Sequence, residues 1–141
     1  MAQEAGGRLT RKRRSHASRG TRGITFDTSM LIATERRKAS ALALLRACRL
    51  ARVPITIPAA VVAEWWRGAH PGLLELGMLE ALTPELAKRA GELLARTGGS
   101  NAVDALVVAS AAQRGDVIAT VDASDLRALA KLVDGVDIES I

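Results

Sequence analysis

The thirty residues NAVDALVVASAAQRGDVIATVDASDLRALA, Asn101 to Ala130, decide the fold. Ser100 or Asn101 is placed to cap a helix that runs to Arg114 and stops at Gly115. Val117 to Val121 is a short apolar run that reads as a strand. Ser124 to Val133 reads as the next helix. A helix, a strand and a helix in so short a span fit a parallel sheet whose strands are joined by helical crossovers.

The same alternation continues outward. Ile24-Thr25-Phe26 is a short β-prone run that ends at Asp27. Ala39 to Arg52 reads as a helix with Leu42, Leu45 and Leu50 among its apolar positions. Val53 to Ile57 reads as a strand, with Pro54 near its start, where a missing N–H is tolerated. Pro58 suits the first turn of a helix to Arg67, which Gly68 and Pro71 close. Met78 to Thr83 is a further strand. Pro84 opens a helix to Thr97, stopped by Gly98-Gly99. Val136 to Ile141 reads as a last strand. The strands are apolar throughout rather than alternating, so helices are expected on both faces of the sheet. No internal repeat is present. Ligands in such open sheets sit beyond the carboxyl ends of the strands.

Composition narrows the function classes. The chain has 141 residues and a formal net charge of +5. Seven basic groups and Glu4 lie in residues 1–23, leaving 13 basic and 14 acidic groups in 24–141. The chain therefore reads as a basic, disordered tail over residues 1–22 and a near-neutral domain over 23–141. The tail reads either as an RNA-steering arm or as a solvated extension. A single Cys, Cys48, excludes a disulfide framework and a multi-cysteine zinc site, and reads as a buried small hydrophobe. Phe26, Trp65 and Trp66 are the only aromatics, too few for a binder that stacks several bases. Trp65 and Trp66 point 100° apart on a helix, so one suits the core and the other the surface. No apolar run approaches the roughly 18 residues of a membrane span.

Acids stand where chemistry is expected. Asp27 closes the first strand; alone it also suits a turn or N-cap. Glu64 lies in the apolar helix Ala59-Ala60-Val61-Val62-Ala63-Glu64, with Arg67 as a possible i+3 partner. Asp104 sits in an almost wholly apolar helix, where burial demands a cation, donors or a proton. Placement near the helix N-terminus is the alternative. Asp122 follows the strand Val117 to Val121. It also reads as an N-cap with Asp125 at N3, in the manner of a capping box. Converging carboxylates repel, and divalent cations neutralise them. All-oxygen ligands suit Mg²⁺ or Mn²⁺ rather than Zn²⁺. His16 and His70 make no histidine site. Arg36, Arg37 and Lys38 suit either RNA phosphates or a solvated face.

These residues resemble the PIN-domain nucleases, and among them the VapC toxins of bacterial toxin–antitoxin pairs. The resemblance covers residues 23–141. It rests on Asp27-Thr28-Ser29, Pro58 to Glu64, Asn101 to Ala105 and Thr120 to Leu126, in that order. The acids are separated by 37, 40 and 18 residues. It implies a three-layer α/β/α fold around a mostly parallel sheet of four or five strands. It implies that Asp27, Glu64, Asp104 and Asp122 form a catalytic, metal-binding quartet, with Asp125 auxiliary and the Thr28 or Thr120 hydroxyl near the metal or its water. It further implies a cytoplasmic, Mg²⁺-dependent (or Mn²⁺-dependent) endoribonuclease that leaves 5′-phosphate and 3′-hydroxyl ends. The implied partners are RNA, a VapB-type antitoxin and a second copy in a homodimer, with no membrane. The basic tail lies outside the family pattern.

Competing readings fit less well. A haloacid-dehalogenase-type phosphatase needs a second acid two residues after the first, where Ser29 stands. A response-regulator receiver needs a late Lys after a strand, whereas Lys131 lies in a helical run. A catalytically weak nucleic-acid-binding or regulatory PIN module remains the alternative from another class. Four mutually repelling acids argue against it.

Overall fold

The structure is a computed structural model and describes residues 22–68, 71–98 and 101–141. The tail as far as residue 21, with His16, lies outside the described residues, as do His70, Gly99 and Ser100. In chain order the elements are β1 (Ile24–Phe26), α1 (Thr28–Glu35), α2 (Ala39–Ala51), β2 (Ile55–Pro58) and α3 (Ala59–Trp65). A 3-10 helix (Pro71–Leu76) leads to β3 (Met78–Glu80), α4 (Pro84–Thr97) and α5 (Ala102–Arg114). β4 (Val117–Thr120), α6 (Ser124–Ala130) and β5 (Asp137–Ser140) complete the fold.

The sheet has five strands in the order β3-β2-β1-β4-β5. Every neighbouring pair is parallel, so the expected mostly parallel sheet is wholly so. Ile24 pairs with Ile55 on one side and with Val117 on the other. From β1 the chain winds outward to β3, then returns across to β4 and β5. Right-handed crossovers therefore place α1, α2 and α3 on one face and α4, α5 and α6 on the other. α5 packs on α4 and α6, and α1 packs on α2 and α3. The winding reverses between β1 and β4. That reversal opens a crevice at the carboxyl ends of these two strands.

Burial explains the elements. Phe26, Met30, Leu31, Ile57, Ile118, Leu126 and Leu129 are fully buried, and Cys48 joins the core as a free thiol. The expected capping residue Asn101 accepts from the backbone N–H of Val103 at 2.6 Å. Thr83 caps α4, and Gly98 and Gly115 end α4 and α5 in the left-handed region. Gly77 has a different task. A Cβ there would lie 2.7 Å from the Ile55 carbonyl oxygen, so only glycine lets β3 approach β2 this closely.

Three readings need correction. α1 was not expected, because Thr28 to Glu35 is short and lacks a polar stripe; Met30, Leu31, Ala33 and Thr34 are all buried. The 3-10 helix was not expected either. Arg22, assigned with the tail, belongs to the domain. Its Nε donates to the Gly115 carbonyl at 2.9 Å, and Nη1 pairs with Asp137 at 2.6 Å.

A second ionic cluster is structural. Arg114 pairs with Glu80 and with Asp116, and its Nη2 donates to Thr25 at 2.9 Å and Ser110 at 2.8 Å. Thr25 donates to Asp116 at 2.8 Å. This network joins α5 to β1 and β3. Each buried carboxylate in it has a cation, as burial requires.

Candidate active site

Asp27 stands at the carboxyl end of β1 and caps α1, whose helix dipole favours a negative charge there. Its carboxylate is held at both oxygens. Oδ1 accepts from Ser29 Oγ at 2.7 Å and from the Met30 N–H at 2.9 Å. Oδ2 accepts from Thr120 Oγ at 2.5 Å, across the gap from β1 to β4. Ser29 Oγ also lies 3.1 Å from Thr120 Oγ and accepts from the Val121 N–H at 2.8 Å. Burial pushes the Asp27 carboxyl above its ordinary value, and the Thr120, Ser29 and Met30 donors pull against it. Ser29 is the residue that sequence reasoning missed. Its position two residues after Asp27 marks a side chain able to reach back to the carboxylate.

Asp104 lies in the first turn of α5 and is half-buried. Its carboxyl is pushed up to about 6 by burial, then by the negative charges of Asp125, Asp27 and Glu64. Asp104 thus feels the charges of the other three acids. Glu64 is exposed on α3 and lines a cavity of about 260 Å³ with Glu35, Arg36 and Arg67. The alternative Glu64–Arg67 pair is not formed; Arg67 Nη1 donates to the Trp66 carbonyl at 2.7 Å. In the same wall, buried Trp65 donates through Nε1 to Glu35 at 2.8 Å, while Trp66 is exposed. The two rings meet edge to face at 5.8 Å.

Asp122 is placed differently. It is exposed, and its Oδ1 accepts from the Ser124 N–H at 3.0 Å and from Ser124 Oγ at 2.8 Å. These bonds and nearby Arg127 hold its carboxyl below the usual value. Asp122 thus turns the chain into α6. The capping box with Asp125 is not formed, since Ala123 occupies the N-cap position. Asp125, in the first turn of α6, is the acid whose charge acts most strongly on Asp104.

The acids are hard oxygen donors without paired cations. Among the described residues, none of Asp27, Glu64, Asp104 or Asp125 is in an ion pair. Thr28 Oγ, next to Asp27, is buried without a hydrogen-bond partner there. Hard oxygen donors with uncompensated charge suit Mg²⁺ or Mn²⁺. Among the described residues, no three Asp, Glu, His or Cys side chains close on one point in ligating geometry. Drawing the acids onto one ion requires side-chain movement.

Comparison with known proteins follows the same lines. The family model for the PIN domain matches residues 24–132. No curated protein sequence matches the chain. Among solved structures, the chain is similar to a toxin–antitoxin complex from Klebsiella pneumoniae, with a TM-score of 0.66 and 20% identity. The alignment covers 84% of this chain and 100% of that one. It is similar to VapBC2 from Rickettsia felis bound to a DNA fragment from its promoter, with a TM-score of 0.64 and 16% identity over 84% and 98% of the chains. It is also similar to FitAcB from Neisseria gonorrhoeae, with a TM-score of 0.59 and 20% identity over 82% and 95%. At these identities the likeness is one of fold.

Proposed function

The chain belongs to the PIN-domain family, and from that premise we propose that it is a metal-dependent endoribonuclease, the toxin of a toxin–antitoxin pair. The observation that carries this reading is the set of acids whose charges act on Asp104, none of them in an ion pair among the described residues. A structural ionic cluster looks different, as Arg114 with Glu80 and Asp116 demonstrates.

Asp27, Glu64, Asp104 and Asp125 would hold Mg²⁺ or Mn²⁺, with Asp122 at the rim. Such an ion supplies an activated water and a counter-charge for phosphodiester hydrolysis. Asp27 is held in place by Thr120, Ser29 and the α1 N-terminus, which would orient its carboxylate as a ligand. Asp104, whose carboxyl is pushed up to about 6, would give up its proton more readily beside a bound cation. Glu64 is reachable from solvent beside Arg36 and Arg67, which places cations next to the acids for phosphate oxygens.

The proposal includes a VapB-type antitoxin, a homodimer and action in the cytoplasm. The antitoxin is supported by two of the similar structures, the toxin–antitoxin complex from Klebsiella pneumoniae and VapBC2 from Rickettsia felis. No helix among the described residues is long and apolar enough to cross a membrane.

The test compares RNA cleavage by the wild type and Asp27→Ala, with Mg²⁺ and with chelator. Cleavage confined to the wild type with Mg²⁺ supports the reading. Cleavage that survives either the substitution or the chelator overturns the metal mechanism. RNA binding without any cleavage would favour the binding-module alternative.

A further inference from the structure

A second cavity, of about 400 Å³, straddles the switch point and is lined by Ser29, Ile32, Ala33, Arg36, Lys38 and Val121. Resting on the ribonuclease reading, we propose that this cavity is a nucleotide subsite beside the cleaved bond, with Arg36 and Lys38 taking a phosphate and Ile32, Ala33 and Val121 taking the base.

Its position carries the first part of the argument. Ser29 follows β1 and Val121 follows β4, and the Val121 N–H donates to Ser29 Oγ at 2.8 Å. Ser29 Oγ in turn donates to Asp27 Oδ1 at 2.7 Å. The cavity wall is therefore one hydrogen bond from the buried carboxylate. Ser29, Ile32, Ala33 and Arg36 follow the i, i+3, i+4, i+7 spacing of one face of α1 and the residue that ends it. Seven residues of helix rise about 10 Å, so the cations stand at the far end of a trough that starts at Asp27.

Charge carries the second part. No acid lines this cavity, and neither Arg36 nor Lys38 is in an ion pair among the described residues. The neighbouring 260 Å³ cavity shares Arg36 but sets Glu35 and Glu64 against Arg36 and Arg67. A polyanion favours the side that carries no acid. The three consecutive cations are thereby separated. Arg37 (φ 56°) lines a groove elsewhere with Arg46 and Arg49.

The apolar wall supplies the third part. Ile32 is 36% exposed although α1 is otherwise largely buried on its apolar positions. A wall of Ile32, Ala33 and Val121 beside two cations has the chemistry of a nucleotide: an apolar face for a base and donors for its phosphate.

The test uses the full chain, a fluorescent single-stranded RNA of ten nucleotides and a salt series. Each lost phosphate contact lowers the salt slope of binding by about 0.7 on single strands, so Arg36→Gln/Lys38→Gln should lower it by about 1.4. The charge-matched pair Arg37→Gln/Arg46→Gln should leave it unchanged. Ile32→Asn should weaken binding with the slope intact, because its contact is apolar. In cleavage, the Arg36/Lys38 pair should raise KM several-fold with little change in kcat. An unchanged slope and KM in that pair, with the wild type still cleaving, overturns the subsite and leaves the nuclease reading standing. So does an equal loss in both charge pairs. A wild type that cleaves nothing but loses the slope only in the Arg36/Lys38 pair overturns the nuclease reading and keeps the subsite. A chain that does not bind RNA overturns both.

Discussion

Thr120 Oγ donates to Asp27 Oδ2 at 2.5 Å, a bond between residues 93 apart in the chain. It ties the ends of the two central strands together and fixes the carboxylate at the switch point. Thr120→Val keeps the shape and removes the donor. We expect a stability loss of about 1–2 kcal/mol, because Asp27 stays buried with one oxygen unsatisfied. Cleavage should fall about 10- to 100-fold, the usual cost of losing a group that orients a ligand. Thr120→Ser should restore both. Denaturant melts and initial rates measure the two effects; a silent Val variant with a working Ser variant would deny the bond any role.

Asp104 gives a pH dependence with a definite sign. Its folded value, about 6, lies above its ordinary 3.8. Below pH 4 the group is protonated in both states and costs nothing. Between 4 and 6 the native state keeps a proton that the unfolded chain has released, so stability falls as pH rises. Above 6 the penalty is complete. Asp104→Asn should therefore stabilise the cation-free protein at pH 7, on the order of 1 kcal/mol once solvent screening is allowed for. Mg²⁺ should raise the melting temperature of the wild type at pH 7, less at pH 5, and scarcely at all for Asp104→Asn. Equal shifts in both proteins would place the ion elsewhere.

Asp122 and Asp125 should separate under mutation. Asp125→Asn removes the largest charge acting on Asp104. It should weaken Mg²⁺ binding and lower the pH midpoint attributed to Asp104. Asp122→Asn should leave that midpoint in place, since its carboxylate serves the Ser124 turn. NMR titration of the carboxyl carbons reads this directly, and the reverse order would restore Asp122 to the centre of the site.

Arg114→Met tests the other ionic cluster. It leaves Asp116, 2% exposed, without its cation. A loss of about 3–5 kcal/mol is expected, as for other broken buried pairs. Mg²⁺ affinity should be unchanged in whatever fraction remains folded. A parallel loss of ion binding would connect the two clusters.

Arg22 marks where the chain becomes part of the domain. Removal of residues 1–21 should leave the melting temperature unchanged, whereas removal of residues 1–22 should lower it. The longer truncation breaks the bonds to Gly115, Gly135 and Asp137. A salt slope for RNA that falls in the shorter truncation would assign the tail to steering; an identical slope would assign it to a solvated extension.

The sequence by itself determined the alternation of helix and strand, the parallel sheet and the placement of acids beside strand ends. Apolar runs, caps and glycines are local signals, and the helix that Pro84 opens was legible for that reason. α1 escaped because a short helix buried nearly all round has no periodic stripe to read. Only the tertiary structure decided which groups meet. The order β3-β2-β1-β4-β5 sets β1 beside β4, and with them Asp27 beside Ser29, Thr120 and Val121. It brings the charge of Asp125 to Asp104 while Asp122 turns into α6, and it sends Arg36 and Lys38 to one face and Arg37 to another. Periodicity reports the environment of one segment. Convergence depends on strand order and on single side-chain directions, which neighbours in space rather than in sequence impose.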